Sequence, residues 1–151
     1  MSTETRVKHL LAHDTSGDRL TLNVHAIVPG SRANGPGLRT VVWLQGCSRR
    51  CPGCFNPETH DHSSRRLITA SELVRHVQEI GLDCEGISVS GGEPLEQSPA
   101  LLAFLRNIRE QTSLSIVLFS GYTFEEMHDI PHGPEIVAHL DVLIAGRFVR
   151  A

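Results

Sequence analysis

A chain of 151 residues with 40% apolar composition has the size and apolar content of one folded domain with a packed core. Its formal charge of -3 argues against a general polyanion binder, because nucleic-acid domains carry a basic excess or stripe; the basic run Ser48 to Arg50 is too short to change that. No segment approaches the roughly 18 apolar residues of a membrane span, and no membrane association is expected.

The N-terminal stretch "MSTETRVKHLLAHDTSGDRL" lacks a basic region followed by an apolar run of signal-peptide length. It reads as a polar, flexible segment over residues 1–19 of a cytoplasmic protein. "LTLNVHAIV" (Leu20 to Val28) places apolar residues at every second position, the period of a half-buried strand. The loop "PGSRANGPG" separates it from "TVVWLQ" (Thr40 to Gln45), a buried strand in which Trp43 is expected to join the core. Cysteines follow at 47, 51 and 54, then a polar, His-rich connection.

"TASELVRHVQEIG" reads as a helix. Thr69 and Glu72 form a capping box, Leu73, Val74, Val77 and Ile80 make one apolar face, and Gly81 supplies the stop. "GISVS" (Gly86 to Ser90) is a strand, and "SPALLAFLRNIRE" a helix with Ser98 as N-cap and Pro99 at its first position. "LSIVLF" (Leu114 to Phe119) is a strand, "TFEEMHDI" opens on a second capping box (Thr123, Glu126), "PEIVAHL" is a short helix and "DVLIAG" a last strand. Alternating strands and helices are the grammar of a parallel α/β sheet. The loops that follow the strands then gather at one sheet edge, where ligands bind in such folds.

Four cysteines in a chain of this kind read as metal ligands before cross-links. The triplet leaves two readings open. A structural zinc needs a closed shell of four ligands, which His60, His62 or Cys84 would have to complete; Cys84, between a helix and a strand, is expected instead to be a small buried residue. An iron-sulfur cubane on three thiolates leaves one iron without a protein ligand, an open position at which a small molecule can bind. "SGGEP" (Ser90 to Pro94) is either a plain strand-to-helix turn or a glycine-rich approach to a ligand, with Glu93 meeting a positively charged amine. Arg39 faces a partner or a carboxylate on this reading, and Tyr122 either a nucleoside or a turn.

Taken together, "GPGLRTVVWLQGCSRRCPGCFNPET", "SVSGGEPL", "SGYTFEE" and "DVLIAGRF" resemble the radical S-adenosylmethionine superfamily, and within it the activating proteins of anaerobic ribonucleoside-triphosphate reductase. The resemblance covers about Ala26 to Phe148. It implies a partial parallel βα barrel and a 4Fe-4S cluster on Cys47, Cys51 and Cys54, with S-adenosyl-L-methionine chelating the fourth iron. Gly91, Gly92 and Glu93 match the motif that holds the methionine amine, and the backbone around Gly53 and Phe55 would lie against the adenine.

The implied activity is an oxygen-sensitive oxidoreductase reaction. A 5'-deoxyadenosyl radical is generated to install a glycyl radical on a partner such as anaerobic ribonucleotide reductase, with electrons from a flavodoxin or ferredoxin-type donor. The alternatives are a radical enzyme that modifies a peptide or small metabolite, and a non-catalytic iron-sulfur or zinc-binding module. Two departures stand out. Relatives usually carry Asp where this chain has Ala145, which implies a missing polar contact near the nucleoside or the barrel mouth, and the chain stops at Ala151, which implies either a truncated chain or a barrel shorter than usual at its C-terminus; both bear on catalysis more than on cluster binding.

Overall fold

The computed structural model describes Gly17 and residues 19–151; the N-terminal segment read above as polar and flexible lies almost wholly outside them. Six strands, β1 (Thr21–Ser31), β2 (Arg39–Leu44), β3 (Arg66–Thr69), β4 (Gly86–Gly91), β5 (Ser115–Ser120) and β6 (Val142–Ala145), form one open sheet in the order β3-β1-β2-β4-β5-β6. Strands β2, β4, β5 and β6 run parallel to one another, giving the partial barrel expected. The other two correct the all-parallel pattern: β1 runs antiparallel to β2, and β3 antiparallel to β1. The reason is length. A parallel pair needs a crossover of a dozen or more residues, and the loop 32–38 is too short to provide one.

Helices α1 (Ala70–Ile80), α2 (Ser98–Gln111), α3 (Phe124–Met127) and α4 (Gly133–Ala138) complete the described fold. Both expected capping boxes are present, Thr69 with Glu72 on α1 and Thr123 with Glu126 on α3. The start of α2 differs from expectation: Gln97 occupies the cap, and Ser98 already lies inside the helix. A 3-10 turn, Pro94–Gln97, runs directly into α2, so the chain never opens at Ser98 into the extended cap conformation. Leu73, Val74 and Val77 of α1 are buried with Leu101, Phe104, Leu105 and Ile108 of α2. Each such side chain contributes roughly 1.5–3 kcal/mol by leaving water.

Alternation along the strands divides the sheet into two faces. Val42, Leu44, Ile87, Val89, Ile116 and Leu118 belong to the core shared with the helices. The intervening residues, among them Val41, Trp43, Ser88, Ser90, Val117 and Phe119, point to the opposite face. Trp43 is therefore half-buried and lies outside the core cluster, contrary to the sequence expectation.

At the N-terminal edge of the parallel strands, Arg39 is 2% exposed. Its guanidinium donates to the carbonyls of Pro36, Ile87 and Ser115 at 2.8 Å and to Ser88 Oγ at 2.9 Å. It ties loop 32–38 to β4 and β5 and meets no carboxylate directly. Cys84 is half-buried at this same edge, where its Sγ accepts from the Thr40 hydroxyl at 3.4 Å.

Candidate functional site

The loops at the opposite edge meet in one cavity of about 250 Å³. The segment after β2 brings Cys47, Arg49, Cys51, Cys54 and His60 to its wall; the end of β4 brings Ser90, Gly91, Gly92 and Glu93; the end of β5 brings Phe119, Ser120 and Gly121; and β6 with its continuation brings Ile144, Gly146 and Phe148. Six of the eight residues assigned from sequence to the cluster and its ligand thus share one concave surface, and His60 joins them. Gly53 and Phe55 do not line it. Phe55 is 82% exposed and sits edge-on to Phe148, ring centroids 5.0 Å apart, at the rim.

Backbone contact holds the two main motifs together. The Gly92 N–H donates to the Leu44 carbonyl at 2.8 Å, and the Glu93 N–H to the Gly46 carbonyl at 2.9 Å. Gly91 adopts φ 98°, and a Cβ there would stand 2.5 Å from the Leu44 backbone; one on Gly92 would overlap the Gly46 carbonyl. Glycines at 91 and 92 are what let the turn after β4 lie flat on the strand that leads into Cys47.

The cysteine loop is fastened on its other side by the His-rich connection. The Gly46 N–H donates to the Thr59 carbonyl at 2.7 Å and the Cys47 N–H to the His60 carbonyl at 3.1 Å. Gln45 Nε2 reaches the Asp61 carbonyl at 2.6 Å. His62 lies over Gly46 and pairs with Glu96 at 2.8 Å, and the other Glu96 oxygen accepts from the Ser48 N–H at 2.8 Å. Within the loop, Arg50 takes φ 46°, a left-handed conformation that costs a side-chain-bearing residue energy and recurs at functional sites.

Glu93 is 1% exposed. Its carboxylate accepts from the Gly121 N–H at 2.7 Å, the Ser120 hydroxyl at 2.9 Å and the Leu95 N–H at 3.0 Å. Burial pushes its carboxyl above the usual range, and those three donors with the Arg49 charge partly offset the push. Burial likewise pushes the Cys47 thiol up, against the backbone N–H groups of Arg49 and Arg50.

All four cysteines are unpaired as disulfides. Among the described residues no three His, Cys, Asp or Glu side chains close on one point as the ligands of a single ion would. Cys84 is at the far sheet edge, and His62 is engaged by Glu96. His60, the remaining candidate, shares the cavity with the three thiols. A cubane takes each thiolate on a different iron, so its ligands stand apart around a cavity, and the three thiols on one wall fit that demand. The glycine backbone, the Glu93 carboxylate and Arg49 beside them suit a small zwitterion.

Sequence reasoning missed four participants. Ser120 and Gly121 bind Glu93, Glu96 holds the cysteine loop, and Arg49 stacks on the Tyr122 ring, its guanidinium carbon 4.3 Å from the centroid. Arg49 was visible between two cysteines, but the run Ser48 to Arg50 was weighed only as net charge. Ala145 ends β6 opposite Ser120.

Comparisons with known proteins concur with this arrangement. The family described as a 4Fe-4S single cluster domain matches residues 33–151. The anaerobic ribonucleoside-triphosphate reductase-activating protein of Escherichia coli (strain K12) is 30% identical over 135 residues, covering 85% of this chain and 86% of the relative. The pyruvate formate-lyase-activating enzyme of Clostridium pasteurianum is 31% identical over 125 residues, 80% of this chain and 50% of that enzyme. Among solved structures, the crystal structure of QueE from Escherichia coli matches with a TM-score of 0.63 at 14% identity, over 75% of this chain and 59% of that one.

Proposed function

Since the chain belongs to the 4Fe-4S single cluster domain family, among the radical S-adenosylmethionine activating proteins of glycyl radical enzymes, we propose that it uses this cavity to install a glycyl radical on a partner enzyme. Cys47, Cys51 and Cys54 would hold a 4Fe-4S cluster. Gly91, Gly92 and Glu93 would take the amino group of S-adenosyl-L-methionine, and Gly53 and Phe55, at the rim, its adenine. Bound there in reduced form, the pair would supply one-electron cleavage of the sulfonium to methionine and a 5'-deoxyadenosyl radical, able to take a hydrogen atom from a glycine of the partner and so become 5'-deoxyadenosine.

The protein's own part is binding and orientation. Buried Glu93, its oxygens fixed by Ser120, Gly121 and Leu95, presents negative potential without needing to reorganise. The backbone contacts between Gly46 and the Gly92–Glu93 pair keep the thiol wall and the amine site in one register. That shared wall is the observation on which the reading rests. The phenyl rings of Phe55 and Phe148 border the cavity where a planar base would stack.

The partner class proposed is a glycyl radical enzyme, anaerobic ribonucleotide reductase first, because relatives named as activators of that reductase and of pyruvate formate-lyase share 30% and 31% identity with the chain. An electron donor of flavodoxin or ferredoxin type and a cytoplasmic location complete the proposal. Among the described residues no helix is long and apolar enough to cross a membrane.

The test is reconstitution without oxygen. About four irons per chain with matching sulfide, 5'-deoxyadenosine released under strong reductant, and a radical appearing on added anaerobic reductase are expected. Zinc in place of iron, or a cluster without cleavage of the sulfonium, would overturn the enzyme reading. Cleavage without radical transfer to the reductase, but with transfer to pyruvate formate-lyase, would change the partner and keep the chemistry.

A further inference from the structure

Arg49 is a largely buried cation that meets no hydrogen-bond acceptor among the described residues. Its side chain is 13% exposed, and its Nε is buried without a partner. The nearest carboxylate pairing is Glu126, 4.0 Å from Nη2 and half-exposed. What holds the side chain is packing and charge. The guanidinium stacks on Tyr122, a Cβ at Gly121 would stand 2.8 Å from Arg49 Cδ, and the Glu93 charge lies close enough to feel it.

Two opposite charges therefore border the same cavity with different degrees of completion. Glu93 has three of its acceptor sites met by internal donors, which fix its negative potential and leave Oε2 able to accept once more; Arg49 retains donors that nothing among the described residues uses. With Nε closed off against Gly121 and Tyr122, the terminal nitrogens are the ones a ligand can reach. A planar guanidinium with free donors matches the paired oxygens of a carboxylate, as it does those of a phosphate, and of the two the proposed ligand carries only the carboxylate. An amine toward Glu93 and the glycine turn, with a carboxylate toward Arg49, is the polarity of an α-amino acid.

From this geometry we infer that Arg49, braced by Tyr122, recognises the carboxylate of the amino-acid end of the ligand and sets the direction in which the ligand enters. The inference rests on the proposed function, since it takes S-adenosyl-L-methionine as that ligand. Arg49 sits between two of the cysteines, so the loop that carries the thiols also carries the orienting charge. Misplacing the loop would then disturb both together.

The experiment is equilibrium dialysis of reconstituted protein with S-adenosyl-L-methionine and, separately, with its decarboxylated analogue. Wild type, Arg49→Gln, Arg49→Lys and Tyr122→Leu are compared at matched iron content. Removing a charge-assisted pair of hydrogen bonds is expected to weaken S-adenosyl-L-methionine binding about 10- to 100-fold in Arg49→Gln, while binding of the decarboxylated analogue changes less than about twofold. Arg49→Lys should retain part of the preference, and Tyr122→Leu should lose part of it.

Equal losses for both ligands in Arg49→Gln, or no loss for either, would overturn the inference while leaving the proposed function intact. Wild type that carries its cluster but binds neither ligand would overturn both.

Discussion

Two arginines at opposite ends of the same parallel strands show what separates a structural cation from a functional one. Arg39 is buried at the N-terminal edge, and the carbonyls of Pro36, Ile87 and Ser115 and the Ser88 hydroxyl accept its protons. Arg49, 13% of its side chain exposed at the C-terminal edge, has a buried Nε with no partner among the described residues and leans on Tyr122. A buried cation is tolerable when its donors are met. The end where they are met is finished by the chain itself; the end where they are not is left open to a ligand.

Breaking the finished end should have the largest effect on stability. Arg39→Met leaves carbonyls from three segments without donors, and about 3–5 kcal/mol of folding stability should be lost. Urea unfolding would show this as a lower midpoint. A midpoint within error of wild type would mean that loop 32–38 is not held through this residue.

Breaking the open end should cost the site before the fold. Gly92→Ala drives a Cβ into the Gly46 carbonyl and pries the glycine turn from the strand leading to Cys47. About 1–3 kcal/mol of overpacking strain is expected, with most of the reconstituted iron lost. Retained iron at wild-type content would show that the two motifs are not mechanically joined.

A smaller effect concerns the acid limb of stability. The Ile116 N–H first, and the Arg109 guanidinium after it, hold the Asp141 carboxyl below its usual range at the start of β6. A carboxyl lowered in the folded state stabilises the fold at pH above its unfolded value and loses that contribution as pH falls through the folded value. Asp141→Asn should therefore be slightly less stable than wild type at pH 7, by well under about 1 kcal/mol because solvent screens this half-exposed carboxyl, and the gap should narrow as pH drops below 4. Parallel curves from pH 7 to 3 would remove Asp141 as the cause.

The smallest effect is expected at Cys84→Ser. This residue sits on Thr40 at the edge away from the cavity, and iron and sulfide per chain should be unchanged. A fall in iron would return Cys84 to the list of ligands.

Much of this was legible in the sequence because local rules governed it. The capping boxes at Thr69 and Thr123 and the apolar face of α1 report themselves within one or two turns. Strand β3 did not, being four residues long with Arg66 and Leu67 both exposed at the sheet edge. The reversed direction of β1 was available in the shortness of loop 32–38, but the rhythm of alternating strands and helices hid it. At the cavity, the cysteine spacing and the paired glycines identified the walls. The contacts that tune them were not legible: Glu93 to Ser120 and Gly121, Ser48 to Glu96, and Arg49 to Tyr122 each join loops from different strands.

The central claim is that thiols, glycine turn and Glu93 form one site in which a bound ligand touches the cluster. Electron paramagnetic resonance of the reduced, reconstituted protein with and without S-adenosyl-L-methionine tests it most directly. A distinct change in the cluster signal on adding the ligand is expected, because an iron with no protein ligand is free to take its amino and carboxylate groups. An identical signal at saturating ligand, in protein shown by dialysis to have bound it, would mean that ligand and cluster occupy separate sites and would contradict the account.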